Sequence, residues 1–219
     1  MNILVIRFSS LGDVALTIPV IRQFQEQYPN EHIYFLSNRH FEDLFVLEKN
    51  VTFIPADLDG KHKRIQGIHG LFRNIKGRYN IDVVIDLHES LRSNFLRLLF
   101  RTAKKPVFKI DKGRDEKKLL TQKLDKVFKP IQSTIDRYSD VFERAGFSIS
   151  LDNELQKHEY PASDETKAFV FDKRSEWIGL APFAKHQGKQ LPQELLNELA
   201  DKLLELIGVS IYIFGYGPK

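Results

Sequence analysis

The sequence of 219 residues predicts an α/β protein with a parallel β-sheet, and three observations lead to this prediction. Strand-like and helix-like segments alternate along the chain. The strand-like segments are apolar at nearly every position, as in "IDVVIDL", and such strands are typical of parallel sheets covered by helices on both faces. The alternation stops in a polar stretch after residue 150 and then starts again. The sequence therefore predicts one Rossmann-like domain followed by part of a second.

The first predicted domain covers residues 1–150 and contains five strands. We expect them at residues 3–7, 32–36, 51–54, 81–87 and 106–110. The predicted helices lie at residues 14–28, 41–47, 65–79 and 91–101, with a last one after residue 133. In the first helix, Leu16, Val20 and Phe24 fall on one face at helical spacing. In the last helix, Ser133 fits a cap and Gly146 fits a stop signal.

Residues 151–174 are polar and aperiodic, and we interpret them as a strand-bearing linker. The second predicted domain covers residues 175–219, with strands at 177–181 and 210–214 and a helix at 192–207. A Rossmann-like domain that folds by itself needs about 100 residues or more. We therefore expect residues 175–219 to be the beginning of a domain, which either extends the first domain or belongs to a longer protein.

The composition is that of a soluble globular protein without cysteine, which excludes disulfides and thiolate metal sites. The apolar N-terminal stretch is interrupted by Arg7 and Asp13, and it lacks the basic start and the cleavage site of a signal peptide. No stretch reaches the roughly 18 to 20 apolar residues that span a bilayer. We therefore expect a cytoplasmic protein.

The formal net charge is +4, and the positive residues are clustered. Residues 61–78 contain six Lys or Arg and no acid, and residues 101–129 contain eleven against four acids. Such clusters attract acidic substrates, anionic lipid headgroups or nucleic acid, and they also fit solvated helix faces. Because no nucleic-acid-binding motif accompanies them, we expect no nucleic-acid partner.

The turn after the first strand carries an acid at a place where α/β proteins often bind phosphate. It reads "RFSSLGDV" and lacks both the G-x-G-x-x-G and the G-x-x-x-x-G-K-[ST] patterns. Two interpretations of Asp13 are open. It fits the N-cap of the following helix. It also fits a carboxylate that faces the ligand edge of the sheet and takes a proton from an attacking hydroxyl.

Polar residues also follow the strand predicted at residues 81–87. The segment "DLHESLRS" brings to the same edge of the sheet Asp86, His88, Ser90 and Arg92. Asp86 and Ser90 fit ordinary roles in ending the strand and capping the next helix. Arg92 opposes the dipole of that helix from its first turn, so we expect it to have an anionic partner.

Two further segments fit anion or metal binding. In "APFAKHQGKQLP", Lys185 and Lys189 precede a helix, where two lysines fit a phosphate site as well as a solvated loop. In "ADLDG", Asp57 and Asp59 have a D-x-D spacing that suits Mg²⁺ or Mn²⁺ on a nucleotide diphosphate. The same residues are also ordinary turn formers.

Four segments occur along nearly the whole chain in the order found in one known family. They are "IRFSSLGDVALTIPVI", "VVIDLHESLRS", "STIDRYSDVFERAG" and the lysine loop ending in "KQLP". Together they resemble glycosyltransferase family 9, the lipopolysaccharide heptosyltransferases. The resemblance implies a GT-B fold of two Rossmann-like domains, the first binding the acceptor and the second the ADP-sugar. It also implies inverting transfer without a metal and without a cofactor beyond the nucleotide sugar.

The resemblance implies roles for particular residues. Asp13 matches the general base of the family, and Arg92 matches a basic position that faces the phosphorylated acceptor. Lys189 matches the lysine that contacts the donor diphosphate, and Lys185 precedes it in the same loop. The small-residue loop around the acceptor and the transferred sugar is matched by Ser9, Ser10 and Gly12.

Three features depart from the family pattern. Ala184 and Lys185 stand where the family often has small hydroxyl residues, and Leu191 stands where it commonly has tryptophan. The sequence stops at "FGYGPK", before the acidic residue expected on the donor ribose and before the later nucleotide motif. We therefore expect the donor site to be incomplete in this form.

The leading hypothesis is an enzyme that moves a heptose-like sugar from ADP-heptose to a phosphorylated lipopolysaccharide core acceptor. Contact with the inner face of the inner membrane fits the basic clusters. Two alternatives are open. One is a non-catalytic fragment that binds carbohydrate or anions, and the other is a metal-dependent glycosyltransferase that uses Asp57 and Asp59.

Overall fold

The computed structural model describes residues 1–123, 128–151, 162–169, 176–184, 187–206 and 208–215. The chain divides into two compact units, Met1–Lys157 and His158–Lys219. Each unit contains a parallel β-sheet whose strands are separated along the chain by helices. The predicted α/β class with parallel strands is therefore confirmed.

The first unit is built on a five-stranded parallel sheet in the order β3-β2-β1-β4-β5. The strands are β1 Asn2–Ile6, β2 His32–Asn38, β3 Val51–Ala56, β4 Val83–Asp86 and β5 Val107–Lys109. Ile6 at the end of β1 lies opposite Asp86 at the end of β4. The strand order reverses between β1 and β4, and open α/β sheets bind ligands at the carboxyl ends of strands at such a point. We therefore expect a ligand-binding site at the loops that follow β1 and β4.

Helices cover both faces of this sheet. The helices of this unit are α1 Leu11–Ala15, α2 Ile18–Gln27, α3 Ile65–Arg78, α4 Leu91–Thr102, α5 Arg114–Thr121 and α6 Thr134–Arg144. Of these, α2, α3, α4 and α6 contribute most of the buried helical side chains that pack on the sheet. Ile3 and Val5 of β1 belong to the core under α2 and α6, and Leu4 and Ile6 belong to the core under α3 and α4. Side chains alternate in direction along a strand, so a run that is apolar at every position fills both cores. Burial of each such side chain contributes about 1.5 to 3 kcal/mol.

Three helical elements differ from the prediction. The helix expected at residues 14–28 is broken into α1 and α2, with Pro19 in the first turn of α2, because proline lacks the N–H that would continue a helix. The helix expected at residues 41–47 is a 3₁₀ helix, Arg39–Phe45. Helix α5 is absent from the prediction because none of its side chains is buried, so no apolar stripe marks it in the sequence.

The second unit contains a two-stranded parallel sheet. Its elements are α7 Asp164–Phe169, β6 Glu176–Leu180, a 3₁₀ helix Gln187–Lys189, α8 Gln193–Leu204 and β7 Val209–Ile213. We expected a strand-bearing linker at residues 151–174. The described residues of this segment are 151 and 162–169, and they include helix α7 and no strand. The other residues of the expected linker lie outside the described part. No helix among the described residues is long and apolar enough to cross a membrane.

A buried ion pair joins the end of β4 to α4. Asp86 is fully buried, and its Oδ2 lies 2.9 Å from Nε of Arg97, which is also buried. Oδ1 of Asp86 accepts hydrogen bonds from the amides of His88 and Glu89, at 2.9 and 3.0 Å. Burial raises the pKa of Asp86, and the amides and Arg97 only partly oppose that shift. The pair therefore ties the loop after β4 to the helix that follows it.

Replacing Arg97 with alanine tests how much this ion pair contributes to the stability of the fold. We expect Arg97→Ala to lower the free energy of unfolding by about 3 to 5 kcal/mol, because it leaves the buried Asp86 carboxylate without its partner. Urea unfolding followed by circular dichroism measures the change. The exposed Arg101 on the same helix supplies the control, and we expect Arg101→Ala to change stability by less than about 0.5 kcal/mol. Equal changes in the free energy of unfolding for the two variants would show that the ion pair does not contribute more to stability than an exposed charge.

Candidate active site

The loops after β1 and β4 meet at the carboxyl edge of the sheet through Arg7. The guanidinium is buried, and its Nη1 donates a 2.6 Å hydrogen bond to the carbonyl oxygen of Leu87. Its Nη2 lies 2.6 Å from Oδ2 of Asp13, and its Cζ lies 5.8 Å from the centre of the Tyr138 ring. Arg7 therefore contacts the β4 loop, the start of α1 and helix α6 at once.

Asp13 is the third residue of α1, and Ser10 is the N-cap of that helix. Oδ2 of Asp13 accepts hydrogen bonds from the amide of Ser10 at 3.1 Å and from its hydroxyl at 2.8 Å. The N-cap interpretation of Asp13 is therefore wrong in its position, because the helix begins earlier. The carboxylate nevertheless stabilises the helix start from its third position, as acids in a capping box do.

The same carboxylate has one engaged oxygen and one free oxygen. The two hydrogen bonds from Ser10 and the ion pair with Arg7 all go to Oδ2. Oδ1 makes no hydrogen bond or ion pair with any described residue, and the side chain is 38% exposed. Asp13 thus presents a fixed carboxylate with one oxygen open to a ligand.

The environment of Asp13 keeps it ionised. Partial burial raises the pKa of Asp13, but the hydrogen bonds from Ser10 and the charge of Arg7 together lower it below its ordinary value. The hydroxyl of Tyr138 donates to the carbonyl oxygen of Asp13 at 3.1 Å, and burial raises the pKa of Tyr138 to about 12. Tyr138 therefore remains a neutral donor that fixes the backbone of α1.

The other small residues of the corner are exposed. Ser9 and Gly12 lie on the surface beside Asp13. A Cβ atom added to Gly12 would meet no atom within 4 Å, so nothing in the described residues fills the space next to it. This open space suits the close approach of a ligand to the backbone at the start of α1.

His88 joins the β4 loop to the corner after β1. Its Nδ1 accepts hydrogen bonds from the amides of Phe8 and Ser9, at 3.2 and 3.4 Å. The sequence places His88 at the ligand edge, but it does not indicate this contact because the two segments are about 80 residues apart. Ser90, two residues later, is the N-cap of α4 and accepts from the amide of Ser93 at 3.3 Å.

A cavity of about 900 Å³ opens beside these loops. Its apolar wall includes Phe8, Leu58, Ile68 and Phe95, and Ser9 and His88 also line it. Its charged lining residues, within the described part of the chain, are the three cations Lys63, Arg64 and Arg92. The cavity therefore favours an anionic ligand with an apolar face.

Within the described residues, Arg92 lacks the anionic partner that its position in the first helical turn led us to expect. Its Nε donates to the carbonyl oxygen of Lys63 at 3.3 Å, and no carboxylate among the described residues pairs with it. A carbonyl oxygen satisfies the hydrogen bond but leaves the positive charge uncompensated. Arg92 therefore remains available to a bound anion.

The D-x-D segment forms a turn. Oδ1 and Oδ2 of Asp57 accept hydrogen bonds from the amides of Gly60 and Lys61, both at 3.1 Å. Asp59 is exposed. No group of three or more His, Cys, Asp or Glu is placed to hold a metal ion within the described residues. The geometry of Asp57 is thus the ordinary turn chemistry that its sequence also fits.

The lysine loop lies in the second unit. Lys189 ends the 3₁₀ helix Gln187–Lys189 and is exposed, three residues before Pro192, the N-cap of α8. Lys185 lies outside the described residues. The structure thus places Lys189 close to a helix start, as the phosphate-site interpretation requires.

Comparison with curated proteins finds a relative in Haemophilus influenzae, the "Lipopolysaccharide core heptosyltransferase OpsX". It is 25% identical over 97 residues, which are 44% of this chain and 27% of that protein. The chain thus matches about a quarter of the length of this relative.

Comparison with solved structures supports the fold. A family 9 glycosyl transferase from Veillonella parvula has a TM-score of 0.71 and 20% identity, covering 97% of this chain and 62% of its own. The ADP-heptose LPS heptosyltransferase II of E. coli has a TM-score of 0.64 and 24% identity, covering 98% and 64%. The E. coli heptosyltransferase WaaC with ADP has a TM-score of 0.64 and 18% identity, covering 100% and 69%.

A family model covers most of the chain. The model described as "Glycosyltransferase family 9 (heptosyltransferase)" matches residues 68–219, which include the β4 loop, the cations of α4 and the whole second unit. The fold of the solved family members agrees with this match. The chain therefore belongs to glycosyltransferase family 9.

Proposed function

We propose that this protein transfers a heptose-like sugar from ADP-heptose to a phosphorylated acceptor of the lipopolysaccharide core, with inversion and without a metal ion. Family membership and the names of the relatives support this proposal. The observation that carries it is the carboxylate of Asp13, which is held ionised at the ligand edge of the sheet with Oδ1 free.

The proposed reaction is a single displacement. An acceptor hydroxyl oxygen attacks the anomeric carbon of the donor sugar while the bond from that carbon to the ADP oxygen breaks. Oδ1 of Asp13 takes the hydroxyl proton, and ADP leaves with the bonding electron pair. One attack from the opposite side inverts the anomeric configuration, so one base is sufficient.

A lowered pKa suits this role in one respect and limits it in another. It ensures that Asp13 is ionised at neutral pH, but it also makes the carboxylate a weak base toward a ground-state hydroxyl. The hydroxyl proton becomes acidic as its oxygen bonds to the anomeric carbon, so transfer to a weak base is favourable late in the step. Arg7 and Ser10 fix Oδ2, so no reorientation of the carboxylate is needed at that moment.

The leaving diphosphate needs positive charge as the bond breaks. We propose that Lys189 supplies it, with Lys185 in the same loop and the start of α8 beside them. Fixed cations and helix N-termini stabilise a developing phosphate charge without a metal ion.

We assign the 900 Å³ cavity of the first unit to the acceptor. Lys63, Arg64 and Arg92 suit its phosphate or carboxylate groups, and Phe95 suits the apolar face of a sugar ring. Ser9 connects this cavity to the corner that carries Asp13.

Two apolar side chains that line the cavity are exposed to solvent. Ile65 is 63% exposed and Leu91 is 89% exposed. Their exposure supports peripheral contact of this face with an anionic membrane surface.

Replacing Asp13 with asparagine tests the proposed base. We expect Asp13→Asn to lower kcat for transfer from ADP-heptose by about 10² to 10⁴-fold, since the amide cannot accept the proton. Asp59→Asn, which alters an exposed acid of the D-x-D turn, should leave kcat unchanged. Circular dichroism checks that both variants fold. Transfer by Asp13→Asn within about threefold of the parent would contradict the assignment, and loss of activity in EDTA would favour the metal-dependent alternative.

Removing Arg7 tests what keeps Asp13 ionised. We expect Arg7→Met to raise the pKa of Asp13, because the lowering charge and hydrogen bond are lost while burial still raises it. A pH titration of the Asp13 ¹³Cγ chemical shift measures this without any activity assay. Since a carboxylate is protonated below its pKa, the acid limb of the pH–rate profile should move to higher pH. Arg73→Met, which removes an exposed charge from α3, should leave the titration unchanged.

Neutralising Arg92 tests the acceptor cavity. We expect Arg92→Gln to raise KM for the phosphorylated acceptor about twofold to fivefold, with kcat and the donor KM unchanged, since a solvent-accessible charge pair is worth up to about 1 kcal/mol. Lys76→Gln, at the other end of α3 from the cavity, is the matched control. Equal KM values for both variants would remove Arg92 from the acceptor site. A higher donor KM instead would move it to the donor site.

A further inference from the structure

The imidazole of His88 connects the two loops that form the candidate active site. Its Nδ1 accepts from the amides of Phe8 and Ser9, and these amides have no backbone carbonyl as partner among the described residues. A ring nitrogen that accepts carries no proton, so the ring is neutral with its hydrogen on Nε2. The unprotonated Nδ1 of His88 therefore accepts from both amides at the corner that leads to Asp13.

His88 is itself fixed from the opposite side. Oδ1 of Asp86 accepts from the amides of His88 and Glu89, and Oδ2 of Asp86 pairs with Arg97. Asp86 is fully buried at the end of β4. The backbone of His88 is therefore fixed at the end of β4, and its ring extends from there to the amides of Phe8 and Ser9.

The corner after β1 leads directly into α1. Ser9 and Ser10 are both exposed, and Asp13 follows them within one helical turn. Arg7 holds the corner from the strand side and His88 holds it at the next two residues. A displacement of Ser9 would also displace Ser10, the N-cap of α1. It would thereby disturb the hydrogen bonds from Ser10 that orient Oδ2 of Asp13.

A second histidine of this unit also accepts a hydrogen bond from a backbone amide through Nδ1. At the end of β3, Nδ1 of the buried His62 accepts from the amide of Asp57 at 2.9 Å. That histidine also closes a turn at the carboxyl edge of the sheet. Two independent turns at this edge are therefore held by neutral histidines acting as acceptors.

We propose that His88 is a positioning residue for Asp13, whose neutral imidazole holds residues 8–10 in the conformation that orients the carboxylate. The catalytic part of this inference rests on the proposed function, and the structural part does not. Nε2 makes no hydrogen bond to any described residue and the ring lines the acceptor cavity, so its N–H is also available to an oxygen of the bound acceptor.

The surroundings of the ring favour its neutral form. Burial is the first cause that lowers the pKa of His88, from the ordinary 6.5 to about 4. The charges of Arg7, Lys112 and Arg92 lower it further, and the charge of Asp13 acts in the opposite direction. The ring therefore remains an acceptor at neutral pH and loses this ability only near pH 4.

Three variants separate positioning from simple packing. In His88→Asn the amide oxygen lies the same number of bonds from the backbone as Nδ1, so the acceptor is retained. In His88→Gln the oxygen lies one bond further out, and in His88→Ala no acceptor remains. We expect His88→Asn to rescue what the other two variants lose.

Amide hydrogen exchange read by NMR is the first measurement. We expect exchange at Phe8, Ser9 and Ser10 to accelerate at least about tenfold in His88→Ala and His88→Gln, and to stay within about threefold in His88→Asn. Exchange at Val5 in β1 should not change, which verifies that the sheet is intact. The exposed His40→Ala is the matched control. Unchanged exchange in His88→Ala would overturn the proposal.

The ring itself provides a second measurement. We expect the ¹⁵N shifts of His88 to show an unprotonated Nδ1 at pH 7 and a midpoint of protonation near pH 4. The amide shifts of Phe8 and Ser9 should change over the same pH range. A protonated Nδ1 at pH 7 would overturn the inference. So would amide shifts of Phe8 and Ser9 that do not change when the ring is protonated.

Steady-state transfer from ADP-heptose is the third measurement. We expect kcat to fall about tenfold in His88→Ala with little change in donor KM, and to recover in His88→Asn. Faster exchange with unchanged kcat would show that His88 has no role in positioning the base. A full-length protein that transfers no sugar would overturn the proposed function, while the exchange and titration results would still decide whether His88 holds the corner.

Discussion

The buried guanidinium of Arg7 is the constraint on which the arrangement of this site depends. A cation removed from water is tolerated only when it is paired and hydrogen-bonded, and loss of one partner costs about 3 to 5 kcal/mol. Its partners come from three separate segments: the Leu87 carbonyl after β4, the Asp13 carboxylate in α1 and the Tyr138 ring in α6. Satisfying this one charge therefore brings together the loops that form the candidate active site.

The carboxylate proposed as the base is also the counter-ion of this buried charge. This double role explains why Asp13 is oriented before any ligand arrives. Burial raises the pKa of Asp13, but the hydrogen bonds from Ser10, together with the charge of Arg7, lower it below its ordinary value. Preorganised charge of this kind costs no rearrangement during the reaction. The neighbouring strand uses the opposite arrangement, a buried Asp86 paired with Arg97, and through it holds the loop that carries His88.

The two units carry complementary chemistry. The first has the carboxylate and a cavity with cations and apolar walls, which fit the proposed acceptor and its deprotonation. The second has Lys189 before the start of α8, which fits the proposed diphosphate of the donor. The proposed division would account for an acid in the corner after β1, where a dinucleotide-binding domain would carry glycines and bind a phosphate.

The amino-acid sequence by itself determined the α/β class, the positions of the strands and the presence of polar residues at one edge of the sheet. These follow from local patterns: strands apolar at every position, helical spacing between them, and residues such as Asp13 and Arg92 directly after a strand. Local patterns also misled at Pro19, where the apolar spacing continues through a break in the helix, and at α5, which buries nothing. Only the tertiary structure decided that Arg7 contacts the Leu87 carbonyl oxygen and the Tyr138 ring, and that His88 accepts from Phe8 and Ser9. Those contacts join segments about 80 or more residues apart, and the burial that makes them strong exists only after the sheet has formed.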